Sequence, residues 1–196
     1  MLALQGGVRE HVHALNNAGA HAFPAKTIEQ IEMAEALVIP GGESTTMIKL
    51  AQMYELVEPI RDLCSQGMPM YGSCAGMIML ADRIEGGIEG QETIGGIDML
   101  VRRNAFGRQT ESFEAPLRLR NLGANADSFP GVFIRAPFVV EMGENVEVIG
   151  AIESGEHEGR VVAVHSGNLM ATSFHPELTS DVRVHEIFVD LVRKAK

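Results

Sequence analysis

Between residues 35 and 82, short runs that are apolar throughout alternate with longer stretches of helical spacing. "EALVIP" reads as a strand ending at "GGES", and "STTMIKLAQMYEL" as a helix opening at Ser44. "PIRDLCSQG" reads as a further helix, with Pro59 in its first turn and Gly67 just past its end. "PMYG" is then a strand and "AGMIMLAD" a helix. Strands apolar on both faces belong to a parallel sheet covered by helices on both sides. Upstream, "MLAL" reads as a strand that the chain start cuts short. The next helix puts Val8, Val12 and Leu15 on one face, with Gly19 placed to stop it.

The second half changes character. "GGIDMLVRRN", "ESFEAPLRLR", "GVFIRAP", "VEVIGAIE", "RVVAVHSG" and "LMATSFHP" are strand-like and joined by short turns. A final helix carries Val184, Ile187, Phe188, Leu191 and Val192 on one stripe. No linker or repeat interrupts this. The expectation is one α/β domain over residues 1–196: a three-layer sandwich with a mostly parallel mixed sheet and antiparallel additions in the second half.

Composition excludes several classes of function. The net charge, 16 − 26 = −10, has the wrong sign for binding nucleic acid or an anionic membrane through bulk electrostatics. An apolar share of 45% against 21% charged argues for a folded globule. Two cysteines make no disulfide framework, and no Cys/His spacing suits zinc, so neither metal nor cofactor is expected. "MLALQGGVREH" has no basic segment ahead of its apolar run, and no segment approaches the roughly 20 apolar residues of a membrane helix. A reduced, soluble, cytoplasmic setting is expected.

One stretch asks for more than packing. In "YGSCAGMI" the strand ends at Tyr71 or Gly72, Cys74 follows, and a helix starts near Ala75. A tight strand-to-helix turn brings backbone against backbone and favours glycine on both sides of a nucleophile. A helix N-terminus favours the thiolate, and the Ala75 N–H would face an oxyanion formed on a carbonyl that Cys74 attacks. The plainer alternative is a small buried residue at a strand end. Cys64 lies inside a helical pattern without such punctuation and reads as buried and inert.

A thiol nucleophile needs a base. His11 and His13 flank a helix face, His157 lies in an acidic turn, and His185 sits beside the apolar stripe of the last helix. His175 differs, because "ATSFHPEL" puts it at the end of an apolar strand and Pro176 restricts its backbone. In extended chain i and i+2 point the same way, so Glu177 can reach His175 as the orienting acid of a Cys-His-acid set. "VIPGGESTTM" offers backbone N–H groups ahead of a helix, with Ser44 as a natural N-cap. A phosphate loop is disfavoured, since GxxxxGK[ST] is missing; a plain turn is the alternative.

Together these segments resemble a class I glutamine amidotransferase, of flavodoxin-like architecture. "LALQGGVREH", "PGGESTTM", "GSCAGMI", "RRNAFGRQTESFEAPL", "GVFIRAP" and "SFHPELTSDVRVHEIFV" are similar, over almost the whole chain, to the glutaminase subunits of pyridoxal phosphate synthase. The resemblance implies hydrolysis of L-glutamine to L-glutamate and ammonia. It also implies delivery of the ammonia to a synthase subunit within a large hetero-oligomer. It makes Cys74 the nucleophile, His175 the base and Glu177 its orienter. Gly42 and Ala75 N–H groups would form the oxyanion hole. Gly42, Glu43, Ser44, Arg103, Ile134 and Arg135 would hold glutamine, whose ammonium and carboxylate call for an acid and a cation. The resemblance also implies a first strand with a few more residues than this chain has before "LALQG". Other readings are service to a different ammonia-using synthase, a cysteine hydrolase on a similar scaffold, and a binding module whose glutaminase has decayed. The adjacent His175 and Glu177 favour the amidotransferase.

Overall fold

The structure, a computed structural model, describes residues 1–103, 112–120 and 128–195. The helices are α1 (Val8–Asn17), α2 (Ile28–Glu32), α3 (Ser44–Met53), α4 (Val57–Ser65), α5 (Ala75–Leu80) and α6 (Arg183–Lys194). The strands begin with β1 (Leu37–Ile39), β2 (Met70–Ser73), β3 (Ala81–Glu85), β4 (Ile97–Arg102) and β5 (Ser112–Leu119). They continue with β6 (Phe129–Ile134), β7 (Phe138–Met142), β8 (Glu147–Ile152), β9 (Val161–Ser166) and β10 (Leu169–Thr172).

Among the described residues the main sheet runs β1-β2-β10-β9-β8-β5-β6. It is mixed, as expected, but the parallel share is smaller than the alternation in the first half implies. Only β1–β2 and β2–β10 pair in parallel, and the remaining neighbours are antiparallel. The reason is connectivity. Turns such as that between β9 and β10 are too short for a helical crossover, so successive strands of the second half fold back on one another. A smaller sheet, β3-β4-β7, is not hydrogen-bonded to the main one but packs into the same core through Ile97, Met99 and Val101.

Alternate residues of the central strands feed two cores. Leu37, Ile39 and Met70 pack with Met47, Ile60 and Met77 on one face. Val38, Tyr71 and Met170 pack with Leu15, Phe174 and Phe188 on the other. Both faces are therefore dry, which is why these strands are apolar throughout. Tyr71 is wholly buried, and its hydroxyl is satisfied by Thr172 Oγ1 at 2.8 Å.

Several expectations need adjustment. "MLAL" forms an isolated parallel bridge, Leu2 to Ala25, rather than a named strand. The helix after Cys74 ends at Leu80 instead of Asp82, because Ala81 pairs with Ile97 and the Asp82 carboxylate accepts from the Gly96 N–H at 2.7 Å. The N-cap of α3 is Glu43, whose carboxylate accepts from Thr46 N–H at 2.8 Å; Ser44 is the first helical residue. The short α2, β3 and β7 carry too little periodicity to stand out in the sequence. From Asn104 onward the "RNAFGRQ" motif lies outside the described residues.

Candidate active site

β2 lies between β1 and β10, its two parallel partners, and Cys74 stands at the C-terminal end of this trio. Such an edge, where crossovers leave the sheet on different sides, is where open α/β sheets bind ligands. Cys74 has φ 49° and ψ −103°, a left-handed backbone for a residue with a Cβ. Its N–H donates to Thr172 O at 2.7 Å, which ties the turn to β10. The next residue, Ala75, opens α5. The Cys74 thiol points to the Ile134 carbonyl, with Sγ 3.8 Å from the oxygen.

His175 arrives from the neighbouring strand. Beyond β10 its N–H donates to Val132 O of β6 at 2.8 Å. Pro176 then opens a single 3-10 turn, Pro176–Leu178. His175 Nδ1 meets Glu177 Oε1 at 2.8 Å, the contact expected from sequence. The geometry behind it differs: the 3-10 turn folds the carboxylate back, where extended chain was expected. Gly41 permits the approach from the other side, since a Cβ there would sit 2.3 Å from His175 Cε1.

Electrostatics follow from burial and partners. Burial alone would lower the His175 pKa, but hydrogen bonds to Cys74 and Glu177 outweigh it and raise the value to about 10. Burial would raise that of Glu177; the His11 and His175 imidazoles against its two oxygens reverse this and hold it well below the usual carboxylate range. Both shifts favour the charged pair, so a proton that His175 takes from the thiol is held as imidazolium against the Glu177 carboxylate.

A cavity of about 310 Å³ opens in front of Cys74. Gly42, Glu43 and Ser44 line one side of it, and Arg103, Ile134 and Arg135 another. Ala75 and His175 also face it, so every residue singled out as substrate-binding lines one space with the thiol. Glu177 does not line it; it stands behind His175. Arg103 is held by Glu43 Oε1 at 2.8 Å and Gln91 Oε1 at 2.7 Å. Cavities of about 520 and 390 Å³ elsewhere are larger but lie away from the thiol and the His175–Glu177 pair, so chemistry and not size selects the site.

Sequence reasoning missed three contributors. Gln5 lines the cavity, and its Oε1 accepts from Glu43 N–H at 2.8 Å. His11 and His185 are wholly buried behind Glu177. Their spacing carried a signal, since His11 falls three residues after Val8 and four before Leu15, on the face that α1 buries.

The model of the SNO glutamine amidotransferase family matches residues 1–194. The chain belongs to that family. Among curated relatives it is 54% identical over 196 residues to "Pyridoxal 5'-phosphate synthase subunit PdxT" of a Nocardioides species, covering 100% of this chain and 96% of that one. It is 56% identical over 193 residues to the protein of the same name from Streptomyces avermitilis, covering 98% and 92%. A solved structure described as a glutamine amidotransferase superposes with TM-score 0.88 at 44% identity, covering 98% and 97%. The structure of PurLQS from Thermotoga maritima matches at TM-score 0.69 and 14% identity, covering 100% and 96%, and shares the fold alone.

Proposed function

We propose that this chain is the glutaminase subunit of a pyridoxal 5'-phosphate synthase. It hydrolyses L-glutamine and passes ammonia to a synthase subunit in a hetero-oligomer. The observation that carries the reading is Cys74 at the head of α5, facing one cavity with His175. Identity above 50% to synthase subunits along nearly the whole chain supports it. In this reading the chain works in the cytoplasm as one domain; no described helix is long and apolar enough to cross a membrane.

In this reading His175 takes the proton of Cys74, and the thiolate attacks the side-chain amide carbon of glutamine. The Gly42 and Ala75 N–H groups receive the oxyanion. The tetrahedral adduct collapses as His175 returns the proton to the leaving nitrogen, releasing ammonia and leaving a thioester on Cys74. Water, activated by the now neutral His175, cleaves the thioester to glutamate and the free thiol. Glu43 and the two arginines meet the ammonium and carboxylate of the substrate. Glu177 keeps His175 in the right tautomer and offsets its charge.

The test is covalent capture and turnover together. A glutamine-like diazoketone should add one equivalent of mass, mapped to Cys74. The chain mixed with its synthase subunit should release glutamate from glutamine. Labelling at Cys74 without glutamate release would favour another cysteine hydrolase, and neither result would leave a binding module.

A further inference from the structure

Glu177 is a carboxylate with 2% of its side chain exposed, and one oxygen is spent on His175. Its other oxygen, Oε2, lies 3.2 Å from His11 Nε2. The same nitrogen lies 2.9 Å from Ser73 Oγ, the residue before the thiol. One N–H thus faces two acceptors: it is hydrogen-bonded to the hydroxyl and stands within ion-pair distance of the carboxylate oxygen, which has no other partner among the described residues. Behind it, His11 Nδ1 meets His185 Nε2 at 3.0 Å.

The tautomers follow from what each nitrogen can reach. His185 is buried and burial keeps it neutral, with its pKa lowered to about 3, so it carries one N–H. Among the described residues its Nδ1 has no partner. An orphaned buried N–H is rarer in folded proteins than an orphaned acceptor, so the hydrogen belongs on Nε2, donated to His11 Nδ1. His11 must then carry its own hydrogen on Nε2, facing Ser73 and Glu177. Hydrogen-bonding one ring nitrogen decides the chemistry of the other.

Resting on the glutaminase reading, we infer that His11, set in its tautomer by His185, is a positioning residue that holds Glu177 against His175 Nδ1. It couples α1 and α6 to the turn that carries the thiol. It does not line the glutamine cavity, so it acts on turnover and not on substrate binding.

Two polar replacements separate this from simple packing. His11→Gln places an amide N–H near the Nε2 position, whereas His11→Asn places it near Nδ1. In the complex with the synthase subunit, with sites counted by diazoketone labelling, His11→Asn should lower kcat about 10- to 100-fold. The glutamine KM should stay within about two-fold, as expected when only a transition-state contribution is lost. His11→Gln should restore kcat to within a few-fold of the parent.

An independent readout needs no turnover. NMR titration of His175 in the free chain should show its midpoint falling by about one pH unit in His11→Asn and holding in His11→Gln. Among the described residues the ionisable groups around that pair are Cys74 from the turn, Tyr71 from β2, Glu10 and His11 from α1, His185 from α6, and Glu43, Arg103 and Arg135 around the cavity. Equal kcat per labelled site with an unmoved His175 midpoint in His11→Asn would overturn the inference, as would recovery by Asn but not Gln. A parent complex that releases no glutamate would instead overturn the glutaminase reading, and the His175 titration would still decide the role of His11.

Discussion

Cys74 combines a positive φ with a buried thiol, and a residue held so costs on the order of 1–3 kcal/mol. The surroundings enforce it: Thr172 O fixes the N–H, and α5 begins at once. Cys64 lacks the positive φ and is half-buried, not fully buried as expected from sequence; that burial together with the charge of Asp82 pushes its thiol pKa up, away from reactivity. Cys74→Ala should therefore abolish glutamine hydrolysis in a chain that melts like the parent, while Cys64→Ser stays active within a few-fold. An exchange of those results in a glutamate-release assay would place the nucleophile at Cys64. His175 and Glu177 divide their work differently. His175→Asn removes the imidazole that shares the cavity with the thiol and should cost about 10²- to 10⁴-fold in kcat. Glu177→Gln keeps the shape and loses the charge, so kcat should fall substantially without vanishing. A Glu177→Gln enzyme as inactive as Cys74→Ala would assign the carboxylate another task, such as fixing the 3-10 turn.

At the scale of elements, the site depends on how closely α5 is pressed against β1 and β2. A Cβ on Gly76 would sit 2.2 Å from Ile39 O, and one on Gly72 would sit 2.3 Å from Gly76 O. Both contacts are with backbone, which cannot yield without separating helix from sheet. Gly76→Ala should destabilise the chain by about 1–3 kcal/mol, as overpacking does, and shift Cys74 out of line with His175. Denaturant unfolding and the labelling rate with diazoketone check the two effects. Unchanged stability and labelling would show that α5 can withdraw without harm. The 3-10 turn acts as the counterpart of the elbow. It packs at the start of α1, where a Cβ on Gly7 would come 3.2 Å from Glu177 Oε1.

Across the whole molecule, buried titratable groups link the site to stability. His185 has a folded pKa of about 3 against 6.5 unfolded, so its contribution is intact above 6.5 and is lost as pH falls toward 3. Glu177, lowered from 4.5, loses its contribution only below that value. His175, raised from 6.5 to about 10, contributes fully below 6.5 and loses this as pH rises through 10. Between pH 6.5 and 4.5, then, His185 is the one of these three that drives destabilisation on acidification. Thermal melts should show Tm dropping over that window in the parent and a flatter profile in His185→Phe. Equal slopes would assign the acid loss to other groups. Partner dependence belongs to this scale too. The Gly41 carbonyl accepts from the Gly7 N–H at 3.3 Å, a long bond whose loss would cost little. Two adjacent glycines let that peptide turn and re-aim the Gly42 N–H at an oxyanion. Glutaminase activity should be low in the free chain and rise on adding the synthase subunit; full activity alone, unchanged by the partner, would contradict this.

Much of this was legible in the residues themselves. Apolar runs bounded by glycine announce the central strands, because a strand buried on both faces has no room for polar side chains. The glycines around Cys74 announce the elbow, because only glycine tolerates backbone at the distances found at Gly72 and Gly76. His-Pro-Glu announces the pair, because Pro176 restricts His175 and two residues are a short reach. What the tertiary structure alone decided lies between distant segments. His11 and His185 are 174 residues apart, and each by itself reads as a histidine near an apolar face. Only the packing of α1 against α6, over the turn that carries Glu177, makes them partners. The extent of antiparallel pairing and the ends of α5 and β3 were decided there as well. Strand partners are set by which backbone groups meet in space, and local spacing holds no record of them.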